Sequence, residues 1–308
     1  MMRGALIAAL AVGVAGCSDQ EAQDAATAPE AATASPAAAA EASPTGTASQ
    51  APLPGQATIA GADGSRYVGQ LANGKPNGEG TYTAADGFTY TGAWVDGRIE
   101  GQGRAVYANG SVYEGTLVNG EPEGEGTLTT PDGFSYSGAW SKGQRTGKGK
   151  ATYANGDVYE GQFAGGERTG VGQMIYADGS TYEGRFENGQ RTGLGTYTAK
   201  DGFTYQGGWK DGVFDGEGRA VYASGLVYEG TFVAGKQQGQ ARVSYPDGAV
   251  YSGTIADGVR QGRGVYTGKD GFRYEGEWQG GEITGRGIAV YPDGTRLEGQ
   301  FRNGEFVG

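Results

Sequence analysis

From Tyr67 onward the chain repeats itself every 23 residues, and this regularity restricts its fold more than any other feature. Counting from a tyrosine as position 0, Tyr stands at 67, 90, 113, 136, 159, 182, 205, 228, 251 and 274, with Leu297 in the eleventh place. Gly follows at +2. A large apolar residue follows at +4: Leu71, Trp94, Leu117, Trp140, Phe163, Phe186, Trp209, Phe232, Ile255, Trp278 and Phe301. Gly returns at +7, +11, +13 and +20, with Ala241 the exception at +13. Self-similarity at a short fixed period signals stacked supersecondary units, each burying its apolar face only against its neighbours.

Within one unit the period is 2. Tyr90, Gly92 and Trp94 alternate with Thr91, Ala93 and Val95, so aromatic groups line one face of a strand. A second strand is predicted over Gly80–Ala84. Asp86-Gly87, or Asn109-Gly110 in the next unit, reads as a two-residue hairpin turn. Two strands and two turns fill the 23 residues. The expectation is an all-β antiparallel meander of some 21 strands, without helix or parallel crossover.

Such a sheet has no second layer to cover its apolar face. Gly at +2 offers room for aromatic rings to lie over bare backbone. The phrase DGF followed by a Trp recurs from Asp86, Asp132, Asp201 and Asp270. Before each, position +15 is large and +17 small, as in Tyr82/Ala84, whereas other units carry Tyr at +17. DGF…W therefore reads as a second packing solution for one face.

These columns are similar to the MORN repeat (membrane occupation and recognition nexus), as YEGRFENGQRTGLGTYTAKDG at Tyr182–Gly202 illustrates. The resemblance covers Tyr67–Gly308. It implies an elongated, twisted, single-layer antiparallel sheet used for protein contacts, sometimes with lipid contacts and self-association. The array is assigned to 58–308: a half unit at its start, ten full repeats and a truncated eleventh. Leu297 in place of Tyr is the main departure.

The N-terminus reads differently. Met1–Gly16 has one basic residue, Arg3, then a short apolar core and small residues, too short to span a bilayer. Val14-Ala15-Gly16-Cys17 resembles the lipobox of bacterial lipoproteins, which implies cleavage before Cys17 and lipid attachment to it. Ser18 after the Cys implies, by the same resemblance, the outer membrane. Residues 17–57 are rich in Ala, Thr, Ser, Pro and Glu, carry no aromatic residue, and read as a disordered tether.

Composition removes much chemistry. With no His and a single Cys, the chain excludes a Ser-His-Asp triad, His-ligated zinc and an internal disulfide. Net charge is -11, of which 17–57 carries -5, which does not suit nucleic acid. GxxxxGK at Gly69–Lys75 and Gly230–Lys236 matches a phosphate loop, but the spacing is built into every repeat, and Pro76 and Gln237 replace the Ser/Thr. Each Asp-Gly turn offers about one carboxylate where calcium takes six to eight oxygens. Carboxylate pairs such as Glu121/Glu123, or Asp215/Glu217, lie in inter-repeat segments with no apolar pocket. No catalytic residue, metal or cofactor is expected.

The expected function is a non-enzymatic envelope lipoprotein whose array scaffolds protein–protein interaction or self-association. Residues at +1 project away from the tyrosines, which nominates Glu114, Glu160, Glu183, Glu229, Glu275 and Glu298 as a partner-binding face. The alternative is an aromatic groove containing Trp94, Trp140, Trp209 and Trp278, binding envelope polysaccharide or lipid head groups.

Overall fold

A computed structural model describes residues 56–308. The calls on the signal peptide, on Cys17 and on nearly all of the tether lie outside these residues. Among the described residues the backbone forms twenty-three strands and no helix. They divide into two compact units, one running to Ala177 and the other from Asp178 to Gly308.

The first unit begins with β1 (Ala57–Ala60), β2 (Arg66–Ala72), β3 (Lys75–Thr83), β4 (Thr89–Val95), β5 (Arg98–Val106) and β6 (Val112–Val118). It continues with β7 (Glu121–Thr129), β8 (Ser135–Ser141), β9 (Gln144–Thr152), β10 (Val158–Ala164) and β11 (Glu167–Ile175). The second holds β12 (Thr181–Glu187), β13 (Gln190–Thr198), β14 (Thr204–Lys210), β15 (Val213–Val221), β16 (Val227–Val233) and β17 (Lys236–Ser244). It ends with β18 (Val250–Ala256), β19 (Val259–Thr267), β20 (Arg273–Gln279), β21 (Glu282–Val290), β22 (Arg296–Arg302) and β23 (Glu305–Phe306). Within each unit every strand pairs antiparallel with the next in sequence, an open meander with no crossover. The count exceeds the expected 21 because Ala57–Ala60 pairs with β2 and Glu305–Phe306 closes onto β22.

The two turns of each unit exchange the roles expected of them. The two-residue turn is at +6/+7, as at Asn73-Gly74, where both residues take positive φ (52° and 77°). That is the mirror-image geometry whose twist matches flanking strands. Asp211-Gly212 and even Ala234-Gly235 adopt it. Asp86-Gly87 instead sits in a five-residue loop, closed by Ala84 N–H donating to Phe88 O at 2.8 Å. There the Asp86 carboxylate accepts from Phe88 N–H at 2.9 Å. The second strand accordingly starts early, at +8, and runs nine residues rather than the five expected.

Between these turns the ladder slips. Gly92 pairs with Gly103, yet Trp94 pairs with Ile99, so one residue of β4 opposes three of β5. The slip recurs in every such pair, and the +11 glycine, such as Gly101 with φ 112°, absorbs it. A side chain at that φ is strained, which explains a Gly column inside a strand.

The core is the tyrosine face. All ten repeat tyrosines are 0–1% exposed. Each ring lies over the paired +2 and +13 positions, both Gly in every unit but that of Tyr228, where Ala241 stands at +13; a Cβ on Gly103 would sit 2.3 Å from Tyr90 Oη. Each hydroxyl donates to the carbonyl at +3, from 2.8 Å (Tyr67 to Gln70) to 3.2 Å (Tyr274 to Glu277). The hydroxyl thus satisfies a carbonyl that the bulge takes out of the ladder. The +4 aromatic ring meets tyrosines edge-on: Trp94 stands 5.2 Å from Tyr67 and 5.6 Å from Tyr90. That is the geometry ring quadrupoles favour.

The DGF phrase packs as its bulk exchange suggested. Phe88 lies 6.5 Å from Tyr82 at +15 of one unit and 5.7 Å from Tyr107 at +17 of the next. Phe203 does the same between Tyr197 and Tyr222, and Phe272 between Tyr266 and Tyr291.

Candidate interaction surface

The indoles of the aromatic alternative are buried in this packing. Trp94, Trp140, Trp209 and Trp278 are 1–5% exposed. Each Nε1–H donates to a backbone carbonyl 14 residues earlier, Gly80, Gly126, Gly195 and Gly264, at 3.1–3.2 Å. A stacking platform for sugars needs an exposed ring face, and none of the four has one.

Position +9 lies on the same face and escaped sequence reasoning. It places Arg145, Arg168 and Arg260 in the core at 5–8% exposure, with Arg191 part-buried. Arg191 stacks 4.5 Å above Trp209 and Arg260 4.4 Å above Trp278. Their Nη2 groups donate to Gly212 O and Gly281 O, both at 2.7 Å, and Arg145 donates to Gly166 O at 2.8 Å. Those glycines are the +7 turn residues of the following hairpin. The only signal was a column mixing Ile99, Ile283 and Phe214 with arginines, which marks a buried site where a guanidinium can stack and snorkel.

Of the carboxylates that could have suggested catalysis, two cap turns and a third binds a strand hydroxyl. Asp215 Oδ2 accepts from Ala234 N–H at 3.1 Å, and Glu123 Oε2 from Lys142 N–H at 2.8 Å. Glu217 accepts from Thr231 Oγ1 at 2.6 Å. Among the described residues no group of three acidic or Cys side chains converges as a metal site would require.

Burial raises the tyrosine pKa values. Tyr67, Tyr90, Tyr136, Tyr159, Tyr251 and Tyr274 are each pushed up to about 12, because the phenolate would lose its hydration. Tyr113, Tyr205 and Tyr228 shift the same way for the same reason.

The opposite face is polar and open. All six +1 glutamates are exposed there. Four have their charge occupied: Glu114 pairs with Arg104 at 3.0 Å, Glu229 with Arg219 at 3.2 Å, Glu275 with Arg273 at 2.6 Å and Glu298 with Arg296 at 2.5 Å. Glu160 and Glu183 enter no such pair. In the second unit this face holds a groove of 1360 Å³ whose floor is the backbone of the paired glycines. Glu229, Glu275 and Glu298 line it together with Arg219, Arg242, Arg263 and Arg286. A smaller groove of 610 Å³ in the first unit includes Glu114 and Arg104. The face is thus mixed in charge rather than acidic. Register supplies part of this, since Arg104 and Arg219 at +14 stand directly opposite Glu114 and Glu229 on the next strand, and the rest comes from Arg263 and Arg286 at +12 and from Arg273 and Arg296 on the strands of Glu275 and Glu298.

Ten consecutive stretches, 67–89 through to 274–296, match the MORN-repeat family model, well over half of the chain. The chain belongs to the MORN-repeat family. No curated protein matches this MORN array as a relative. Among solved structures it is similar to the SAS-4 (dCPAP) TCP domain of Drosophila melanogaster in complex with a proline-rich motif of Ana2 (dSTIL). That match is 14% identical, covers 57% of this chain and 84% of that one, and has a TM-score of 0.29. The Danio rerio CPAP TCP10 domain bound to a STIL peptide is 15% identical, covering 79% and 97% with a TM-score of 0.29. A streptogramin B lyase is 13% identical, covering 83% and 86% at 0.15. At such scores none of these likenesses bears on what the MORN array does.

Proposed function

We propose that this protein is a non-enzymatic lipoprotein of the bacterial cell envelope, anchored through Cys17 in the outer membrane, whose MORN array is a scaffold for protein contacts or self-association. One observation carries the scaffold reading: the tyrosine face is closed by its own packing, with every repeat tyrosine at most 1% exposed. The polar face is left with exposed side chains and grooves. The anchor reading rests on Val14-Ala15-Gly16-Cys17 and the short apolar run before it. One lipid chain binds marginally, whereas two or more hold stably.

The test is labelling and capture in one strain. Cells fed radioactive palmitate should label the wild-type protein and leave Cys17→Ser as an unlabelled, unprocessed precursor. Crosslinked wild-type envelopes should then yield a stoichiometric partner or a homo-oligomer. Label on Cys17→Ser overturns the anchor, and capture of neither partner nor self overturns the scaffold.

A further inference from the structure

The groove of the second unit has a chemistry that points to one kind of occupant. Its carboxylates are engaged: Glu229, Glu275 and Glu298 in ion pairs, Glu217 with the Thr231 hydroxyl. Arg219 is taken up by Glu229. Arg242, Arg263 and Arg286 line the groove, are exposed, and make no ion pair or hydrogen bond. Glu277 stands opposite Arg263 in the ladder without pairing to it. Three unpartnered guanidinium groups in one groove, on a chain of net charge -11, are the site's uncommitted recognition chemistry.

Their spacing adds a length. Arg242 is on β17, Arg263 on β19 and Arg286 on β21, each two strands from the next. Adjacent strands lie about 4.8 Å apart, so Arg263 and Arg286, both at +12, stand roughly 9–10 Å apart, whereas Arg242 lines up with Val265 across β18 and so stands roughly 12 Å from Arg263. An extended or polyproline-type chain advances about 3.1–3.3 Å per residue and covers the shorter step in about three residues and the longer in about four. A helix advances about 1.5 Å per residue and would need acids about seven residues apart for the same step, so acid spacing tells the two occupants apart. The backbone groups of the floor are already paired in the sheet, so an added strand would find no ladder to join. Side-chain contacts must do the binding. A guanidinium offers a paired donor edge that fits a carboxylate.

We infer that this groove docks an extended acidic segment of a partner protein, with Asp or Glu spaced four and then three residues apart seated on Arg242, Arg263 and Arg286. Val265 and Ile288, on the same wall, favour an apolar residue between the acids near the groove's C-terminal end. The inference rests on the scaffold reading. It can fail while partner capture from envelopes succeeds, so the two failures are distinguishable.

The experiment is fluorescence anisotropy on the purified full-length protein with a synthetic labelled peptide carrying Glu at alternating spacings of four and three residues between Pro and Thr. An isomer of the same composition with its glutamates in one block is the control. The periodic peptide should bind at low salt and weaken as salt rises. Arg242→Gln/Arg263→Gln/Arg286→Gln should lower its affinity about tenfold, the sum of three modest exposed ion pairs, with the thermal midpoint unchanged. Absence of binding at low salt, equal binding of the block isomer, or indifference to the triple substitution overturns the proposal. So does Arg-dependent binding of phosphatidylglycerol vesicles without peptide binding, which would make the groove a headgroup site. A second full-length version carries Asn or Gln at Asp19, Glu21, Asp24, Glu30 and Glu41. If only that version binds the peptide, the occupant is the chain's own N-terminal segment and the proposal of a foreign partner is wrong.

Discussion

Arg260 holds Gly281 at both ends of the glycine: its own carbonyl accepts the Gly281 N–H at 3.0 Å, and its Nη2 donates to the Gly281 carbonyl at 2.7 Å. Arg145 and Gly166, and Arg191 with Gly212, repeat the clamp. The link joins +9 of one hairpin to the turn of the next, so stacking of repeats is fixed by more than ring contacts. Arg260→Met keeps volume on Trp278 but leaves the Gly281 carbonyl without its donor. The expected cost is about 1–3 kcal/mol, read as a lower urea midpoint, and Arg260→Lys should recover only part because an ammonium lacks the planar stack.

Gly103 has no Cβ because Tyr90 occupies its place. Gly103→Ala should destabilise by about 1–3 kcal/mol, the usual cost of overpacking. In a Tyr90→Leu background the same change should cost less, a coupling that a double-mutant cycle measures. Additive effects would mean that the glycine is required for its backbone alone.

Tyr159 spends its hydroxyl on Gln162 O at 3.0 Å. Tyr159→Phe keeps the ring contact with Phe163 at 5.2 Å and removes the donor. A loss of about 1 kcal/mol is expected in chemical denaturation, with the β-type circular dichroism spectrum retained.

Alkaline pH should act on all these tyrosines together. In the folded state several pKa values stand near 12, against 10.0 for an unburied phenol. Between those values the unfolded chain binds fewer protons than the folded one, so stability falls as pH rises. The contribution is whole below pH 10 and is lost as pH climbs toward 12. Phenolate absorbance and unfolding should therefore rise in a single steep transition. A gradual titration centred near pH 10 with the fold intact would contradict burial of the ladder.

The fold was legible in the sequence because its determinants are local and steric. Tyr at 0, Gly at +2 and +13 and a large ring at +4 describe one ring on one bare stretch of backbone, and identical units can only stack. The DGF exchange at +15 and +17 was readable for the same reason, since those positions share a face by period 2. What escaped was whatever depends on the cross-strand partner. The slip between Gly92 and Trp94 sets one residue against three, so partners beyond it cannot be counted from the turn. Asp-Gly drew attention as a hairpin signal, yet the two-residue turn belongs to +6/+7, where the register after the bulge requires it.

The candidate surface divides along the same line. The alternation that puts Glu114, Glu160, Glu183, Glu229, Glu275 and Glu298 on the face away from the tyrosines follows from sequence alone, because side chains of a strand alternate. Their ion pairing does not, because Glu229 meets Arg219, ten residues earlier in the chain but directly across the ladder. Likewise +9 reads as an ordinary core column until the ladder brings it beside the next turn, where an arginine finds a carbonyl and an indole at once. Period and face belong to the chain; pairing belongs to the sheet, because a hydrogen-bond ladder with a bulge sets neighbours by geometry and not by counting.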